Sequence, residues 1–216
     1  MTHITTTGAP ARTDVTTAAR PTTDDTQFTR RAGLVLAAGT ISWAVANLVF
    51  GFEPELSDNR AWMFTDLTGL AFQTGVMALL HVQIRTRATG VKAISRRLLK
   101  TERVLLSIAM LWSLLHAFMG SHRDAAWLHV IDVFWPLSML GMFFIGIKVA
   151  IAGRWRGRAR LWSFLAETWA PVTVPFMAIL GHDGGADLIG ATHLLLGYTV
   201  LGLILATRPD LVQDRG

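Results

Sequence analysis

Ionisable side chains stand inside long apolar stretches of this sequence, where charge is costly and is usually kept for a function. Asp66 follows the start of one stretch, His116 precedes the end of the next, and Asp132 and His193 lie shortly inside two later stretches. Carboxylates and imidazoles can act together as acid and base. We expect Asp66, His116, Asp132 and His193 to form the reactive group of this protein.

Five further polar residues are expected to bind a ligand or to carry protons. A helix rises 1.5 Å per residue. Counted in this way from the ends of the stretches, Asn47 and His129 lie at about the same depth as the four reactive residues. Glu167 and His81 lie together at a second depth, and Gln73 lies between the two depths. Apolar residues follow below the first layer, so the sequence predicts an outward-facing pocket with an apolar floor.

The cofactor of such a pocket stays open at this stage. Asp and His are ligands for divalent metals, but no HxxxH or HExxH pair supports a metal site. A haem held by His116 and His193 on facing helices is a second option, and purely protonic chemistry is a third. The absence of cysteine removes disulfides, thiolate zinc sites and thiol nucleophiles.

The positions of these residues depend on six apolar stretches in a chain of 216 residues. The chain is 51% hydrophobic, only 16% charged, and has a mean hydropathy of +0.41, which excludes a disordered polymer. Each stretch has about the length needed to cross a bilayer, and spanning segments of this length are helical. The sequence predicts an all-α integral membrane protein with six transmembrane helices, at Gly33–Phe52, Met63–Ile84, Val104–Gly120, Leu128–Ala152, Leu161–Leu180 and Leu188–Ala206.

The six helices are predicted to form three tandem helical hairpins. Trp43, Asn47 and Gly51 are spaced by four residues, and Trp112, His116 and Gly120 repeat that spacing. The return helices repeat as well, because a glycine follows nine residues after Asp66, Asp132 and His193. Six tryptophans near the ends of the stretches, Trp43 and Trp169 among them, are expected to form an interfacial aromatic belt.

Charge gives the expected orientation and the outer parts of the chain. The loops 85–103 and 154–160 are rich in arginine and lysine, whereas the other loops are acidic. By the positive-inside rule, a multi-pass protein of the cytoplasmic (inner) membrane with both termini cytoplasmic is predicted. Residues 1–29, with eleven threonines, are expected to be a disordered cytoplasmic tail, residues 30–207 the transmembrane domain, and residues 208–216 a short tail.

Three interpretations of function fit these features. The first is a membrane-embedded enzyme that acts on a lipid or isoprenoid-like molecule by acid/base or metal-assisted chemistry. The second is a proton-coupled small-solute transporter, and the third is a non-catalytic accessory or sensor subunit that docks through its basic loop. The expected partners are the lipid bilayer and a lipidic or small-molecule ligand. No nucleic-acid partner is expected, because the net charge of +5 lies in the orientation signal.

Overall fold

The fold is helical throughout the part of the chain that the structure describes. A computed structural model describes residues 23–55, 57–180 and 184–213, and no β-strand occurs among them. The helices are α1 (Thr23–Phe50), α2 (Asn59–Arg85), α3 (Ala93–Met119), α4 (Ala126–Asp132), α5 (Phe134–Ala152), α6 (Gly157–Glu167), α7 (Trp169–Leu180), α8 (Gly184–Leu194) and α9 (Val200–Thr207). A π-helical turn, Leu195–Thr199, joins α8 to α9, and two short 3₁₀ turns lie at Gly120–His122 and Pro209–Leu211.

Five helical passes of the described chain are long and apolar enough to cross a membrane. They are α1, α2, α3, the α4–α5 pair and the pass from Gly185 to Thr207. The predicted fifth span, Leu161–Leu180, differs from the expectation because it consists of two shorter helices, α6 and α7. The chain is a helical, multi-pass, membrane-type protein.

Prolines explain where two of the passes are interrupted. Pro171 and Pro136 have no backbone N–H, so each leaves the carbonyl four residues earlier without its helical partner. Those carbonyls belong to Glu167 and Asp132, and α6 and α4 end at these two residues. An acidic residue therefore lies at each break, next to backbone that the helix no longer satisfies.

The helices form a closed ring in chain order. Each of α1, α2 and α3 contacts the next, α3 contacts α5, α5 contacts α6, and the α8–α9 pass returns to α1. We call the end with loops 51–58 and 120–125 the acidic end, and the end with loops 86–92 and 153–156 the basic end. At the basic end Trp155 Nε1 donates to Thr86 Oγ1 at 2.9 Å, which ties the two basic loops together.

Helix α1 lies against its neighbours with backbone contact. A Cβ on Gly33 would come within 2.4 Å of the carbonyl oxygen of Gly202, and a Cβ on Gly202 within 2.6 Å of that of Gly33. A Cβ on Gly39 would lie 2.3 Å from the carbonyl oxygen of Ala71. Small residues permit such close helix packing in membranes, where apolar burial provides little drive between helices.

Two helix starts differ from the expected boundaries. Helix α1 begins at Thr23, inside the stretch 1–29 predicted to be a disordered tail, while residues 1–22 lie outside the described residues. Helix α3 begins at Ala93 instead of Val104, because the basic segment before it continues the same helix. The second difference matters for the site, since it places Glu102 inside a membrane-type helix.

Candidate functional site

A cavity of about 650 Å³ opens at the acidic end of the ring. Helices α1, α2, α3, α4, α5 and α7 all contribute to its wall. Five of the predicted site residues line it, and these are Asn47, Asp66, His116, His129 and Asp132. The shared depth read from the sequence therefore corresponds to a real cavity for these five.

Asp66 and His116 form a hydrogen-bonded dyad in this cavity. His116 Nδ1 lies 2.7 Å from Asp66 Oδ2, and both side chains are largely buried. Since a carboxylate only accepts, Nδ1 carries the proton and donates it. His116 Nε2 has no hydrogen bond to any residue in the described ranges, so it is available to a ligand.

Local sequence places the two members of the dyad side by side. Asp58 caps α2 by accepting from the backbone N–H groups of Arg60 and Ala61, which puts Asp66 two turns into the helix. Helix α3 ends at Met119, before Gly120 with φ +52°, which leaves His116 in the last turn. Both residues therefore lie near the same end of neighbouring antiparallel helices.

The outgoing helices of the first two predicted hairpins, α1 and α3, end in the same way, although the return pass α2 is continuous and the return pass α4–α5 is broken. Helix α1 also ends before a glycine with positive φ, Gly51 at +79°, four residues after Asn47. Asn47 and His116 thus occupy matching places, and both line the cavity. The third hairpin departs from the pattern, because its outgoing pass is broken at Thr168.

Tryptophan rings surround the dyad. Trp112 stacks on the His116 ring at 4.7 Å between centroids, and Trp62 meets it edge-on at 5.4 Å. Five tryptophans line the cavity in all: Trp43, Trp62, Trp112, Trp135 and Trp169. The imidazole therefore sits in an aromatic, weakly solvated setting that fixes the plane of its ring.

The cavity ends on a layer of aromatic rings that we call the aromatic floor, formed by Trp43, Phe72, Trp135 and Trp169. Trp43 stacks on Phe72 at 4.8 Å and contacts Trp135 and Trp169 at 5.9 and 5.7 Å. Trp43 is 5% exposed and Trp169 is 1% exposed. These two side chains are therefore core residues, and their assignment to an interfacial belt was wrong.

Below the aromatic floor lie two acids that we call the buried carboxyl pair, Glu102 and Glu167. Phe72 of the floor contacts Tyr198 edge-on at 5.1 Å, and the Tyr198 hydroxyl donates to Glu167 Oε2 at 2.5 Å. Ser138 Oγ donates to Glu102 Oε1 at 2.6 Å. The second oxygen of each carboxyl has no hydrogen-bond partner in the described part of the chain.

Two glycines of α5 make room for this pair. A Cβ on Gly141 would lie 1.9 Å from Glu102 Oε2, and a Cβ on Gly146 would lie 2.8 Å from Glu167 Cβ and Cγ. Glu102 is 1% exposed and Glu167 is fully buried. Across the described ranges no lysine, arginine or histidine forms an ion pair with either acid, and the two carboxyls interact electrostatically with each other.

Sequence reasoning identified Glu167 but missed Glu102 and Tyr198. Glu102 was counted with the basic loop, although it lies four residues before Leu106 and fourteen before His116. Those separations are close to one and four helical turns, so the three residues lie on roughly the same face of α3. That periodicity was the available signal. Nothing comparable pointed to Tyr198.

His193 lies apart from the cavity, unlike the expectation of a shared layer. It lines a groove of about 550 Å³ with Trp162, Leu165 and Thr168, and its Nε2 lies 3.1 Å from the Leu165 carbonyl oxygen. That carbonyl lies two residues before the end of α6 and also accepts from the backbone N–H and the hydroxyl of Thr168. His116 and His193 therefore face different cavities, which removes the arrangement needed for a haem between them.

Gln73 and His81 also lie outside the cavity wall. The amide of Gln73 is 2% exposed, with neither polar atom hydrogen-bonded within the described residues. His81 Nδ1 donates to the Met77 carbonyl oxygen of its own helix at 2.7 Å. Their predicted roles in binding or proton transfer stay predictions.

Neither a cluster of metal ligands nor a similar protein of known function identifies the chemistry of this cavity. Among the described residues, no three His, Asp or Glu side chains cluster closely enough to hold a metal ion. In comparisons with known proteins, no family model matches the chain, and no curated protein or solved structure is significantly similar to it. The chemistry of the cavity is therefore inferred from its own residues.

Proposed function

We propose that this chain is a proton-coupled transporter of a small solute. The observation that carries the proposal is the position of the buried carboxyl pair beneath a cavity that ends on the aromatic floor. The cavity binds the solute, and Glu102 and Glu167 carry the proton. An enzyme confined to the cavity has no use for two further acids below its floor.

The surroundings of the pair favour proton transfer over a purely structural role. A buried carboxylate without a cationic partner pays the full cost of losing its hydration. Glu102 and Glu167 lie close enough to repel each other when both are charged. At least one of them therefore holds a proton while buried and releases it when water reaches the site.

Breaks in the helices supply the places where the protein can change shape. Transporters use discontinuous helices at their central sites, and π-helical turns often mark functional positions. Glu167 ends α6 at one such break, and Tyr198, its hydrogen-bond donor, lies in the π-helical turn Leu195–Thr199. Movement at these two points alters the contact between Tyr198 and Glu167 and opens a path to the carboxyl.

The orientation follows from charge. We place the basic end, with both termini, on the cytoplasmic side of the inner membrane, because loops rich in arginine and lysine stay inside. The cavity then opens to the outside. In this orientation the proton-motive force drives protons from the cavity toward the buried carboxyl pair.

Proteoliposomes that contain a pH-sensitive dye test the proposal. Small amines, carboxylates, sugars and nucleosides are added in turn, and solute-driven proton movement is recorded. We expect at least one solute to move protons with the wild type, and at least tenfold less movement with Glu167→Gln. Glutamine still accepts from Tyr198 but cannot exchange a proton.

Glu55→Gln is the matched control, because Glu55 is exposed in the loop at the acidic end. It should behave as the wild type does. Proton movement of wild-type size in Glu167→Gln would contradict the coupling role, and a wild type that moves no protons with any solute would refute transport.

An enzyme acting on a lipid or isoprenoid-like molecule is the second candidate, and the dyad favours it. Asp66 orients His116 and leaves Nε2 free, as in sites where a carboxylate positions a histidine base. Incubation with lipid extracts, followed by mass spectrometry, should then give a product with the wild type. No product should form with His116→Gln, and equal product from both proteins would remove this candidate.

A further inference from the structure

Resting on the proposed function, the cavity also indicates what kind of solute it takes. We propose that the ligand is a protonated amine that donates N–H hydrogen bonds. The proposal rests on acceptors in the cavity wall that lack donors, together with the tryptophan rings around them.

Asn47 supplies the first of these acceptors. Its Nδ2 donates to the Trp43 carbonyl oxygen at 2.8 Å, which fixes the orientation of the amide. Oδ1 is therefore the remaining atom, and it is buried without a partner in the described residues. The residue as a whole is 1% exposed and lines the cavity. A buried acceptor of this kind requires a donor, and a ligand can bring it.

Asp132 supplies the second acceptor, with a charge. Its side chain has no hydrogen bond to any residue of the described chain, whereas Asp66 is hydrogen-bonded to His116. The imidazoles of His116 and His129 lie near enough to Asp132 to interact with it electrostatically, but neither is hydrogen-bonded to it. Arg123, the arginine among the lining residues, donates instead to Asn59 Oδ1 at 2.5 Å and to the His116 carbonyl oxygen at 3.3 Å. Asp132 is thus left for a cationic ligand.

The wall of the cavity suits a cation and disfavours an anion. The faces of tryptophan rings attract ammonium groups more strongly than those of other aromatic side chains, and five of the eight tryptophans of the chain are in this wall. Asp66, Asp124 and Asp132 lie in the wall together with a single arginine, Arg123, and the imidazoles of His116 and His129. An anion would meet repulsion, and a neutral apolar molecule would leave Asn47 and Asp132 unsatisfied.

One donor in the wall adds a detail about the ligand. Trp62 Nε1 is buried with no acceptor in the described ranges. A hydroxyl or carbonyl on the ligand can accept from it. The amine is therefore expected to bind better when it also carries an oxygen at a distance from its nitrogen.

A ligand panel on the full-length protein in detergent tests the inference. Butylamine, benzylamine, phenethylamine and naphthylmethylamine are each compared with the alcohol of the same shape and with the trimethylammonium analogue. Binding is measured by calorimetry and by quenching of tryptophan fluorescence. We expect at least one amine to bind ten times more tightly than its alcohol, and more tightly than the trimethylammonium analogue, which lacks N–H donors.

Variants assign the preference to the two acceptors. Asp132→Asn should abolish the preference for amine over alcohol, and Asn47→Leu should abolish the preference for amine over trimethylammonium. Asp132 is only half-buried and makes no hydrogen bond with the residues that the structure describes, so Asp132→Asn should leave the fold intact, as thermal unfolding will check. Asp24→Asn is the control, because Asp24 lies at the far end of α1 and is exposed.

The outcomes separate this inference from the proposed function. Alcohols that bind as tightly as amines throughout the panel, or an amine preference that survives Asp132→Asn, would overturn the ligand class. Proton movement driven by a sugar or carboxylate alone would also overturn the ligand class, while transport would stand. Amine binding without any proton movement in proteoliposomes would support the ligand class and refute the transporter.

Discussion

The acidic side chains of the acidic-end cavity and of the buried carboxyl pair differ in their hydrogen-bond partners and in their access to solvent. In the cavity Asp66 is given an imidazole partner at 2.7 Å, and ligands can reach the site from the open end. Glu102 and Glu167 receive only a hydroxyl each, at 2.6 and 2.5 Å, and are shut off from solvent. The same chemical group is thus held by a charged or chargeable partner in one place and by neutral partners in the other.

In the proposed transporter, this difference separates solute binding from proton transfer. A carboxylate that keeps its charge can attract a cation, which suits the cavity. A carboxyl among neutral partners changes its charge when its surroundings change, which suits coupling. The aromatic floor lies between the two regions, with Phe72 of the floor in contact with Tyr198 beside Glu167.

The largest effects are expected when one acid is neutralised in each region and the two variants are compared. Asp132→Asn should weaken amine binding at least tenfold and leave proton coupling of the remaining transport unchanged. Glu102→Gln should leave amine binding unchanged and reduce coupled proton movement at least tenfold. Calorimetry and dye-loaded proteoliposomes measure the two quantities, and variants that impair both quantities equally would show that the two regions are not separate.

Breaking the dyad should have the next largest effect. In Asp66→Leu the acceptor is gone, so the charge-assisted hydrogen bond from His116 Nδ1 is lost, and bonds of this type contribute about 1.5–3 kcal/mol. The free energy of unfolding should fall by that amount. Chemical denaturation in detergent measures it, with Asp24→Leu at an exposed position as control, and an unchanged unfolding free energy would show that the dyad contributes nothing to the fold.

Filling the space beside the buried carboxyl pair should cost about 1–3 kcal/mol, as overpacking does. In Gly141→Ala the new methyl group meets Glu102 Oε2 and forces it aside. Gly185→Ala is the matched control, because no atom of the described residues lies within 4 Å of a Cβ at that position. Equal thermal stability of the two variants would argue against the close contact between Glu102 and α5.

The smallest effect is expected from Tyr198→Phe. It removes one neutral hydroxyl donor, which contributes about 0.5–1.5 kcal/mol, and leaves Glu167 with less support when charged. Coupled proton movement should decline severalfold while amine binding stays the same. If amine binding changes instead, Tyr198 acts through the aromatic floor on the cavity and the two regions communicate more directly than proposed.

The sequence predicts depth along a helix better than it predicts the direction of a side chain. Asn47, Asp66, His116, His129 and Asp132 line one cavity, because α1 to α4 are regular and several of their ends are marked by Asp58, Gly51 and Gly120. A constant rise per residue then brings residues at equal distance from those ends together.

His193 shows where this reasoning fails. It was expected about five residues inside its span, but the helix begins at Gly184, and His193 turns to the Leu165 carbonyl beside the break between α6 and α7. A π-helical turn directly after it also changes the face that follows, because each turn of a π-helix holds an extra residue. Neither effect is visible from spacing alone.

Glu102 was missed, and Trp43 and Trp169 were assigned to the wrong environment, for a different reason. The basic residues around Glu102 suggested a loop, although the helix continues through them because long cationic side chains can extend to the membrane surface. Tryptophan is typical of interfaces, yet Trp43 and Trp169 fill the centre of the ring. Composition alone does not distinguish a belt from a packed aromatic layer.

Infrared difference spectroscopy of the reconstituted protein tests the central claim most directly. A protonated carboxyl has a carbonyl stretch that a carboxylate lacks, and it shifts in heavy water. At neutral pH we predict one such band from the buried carboxyl pair, which changes when an amine is added and disappears in the Glu102→Gln, Glu167→Gln double variant. The same spectrum from the wild type and the double variant would contradict the claim that this pair carries the proton.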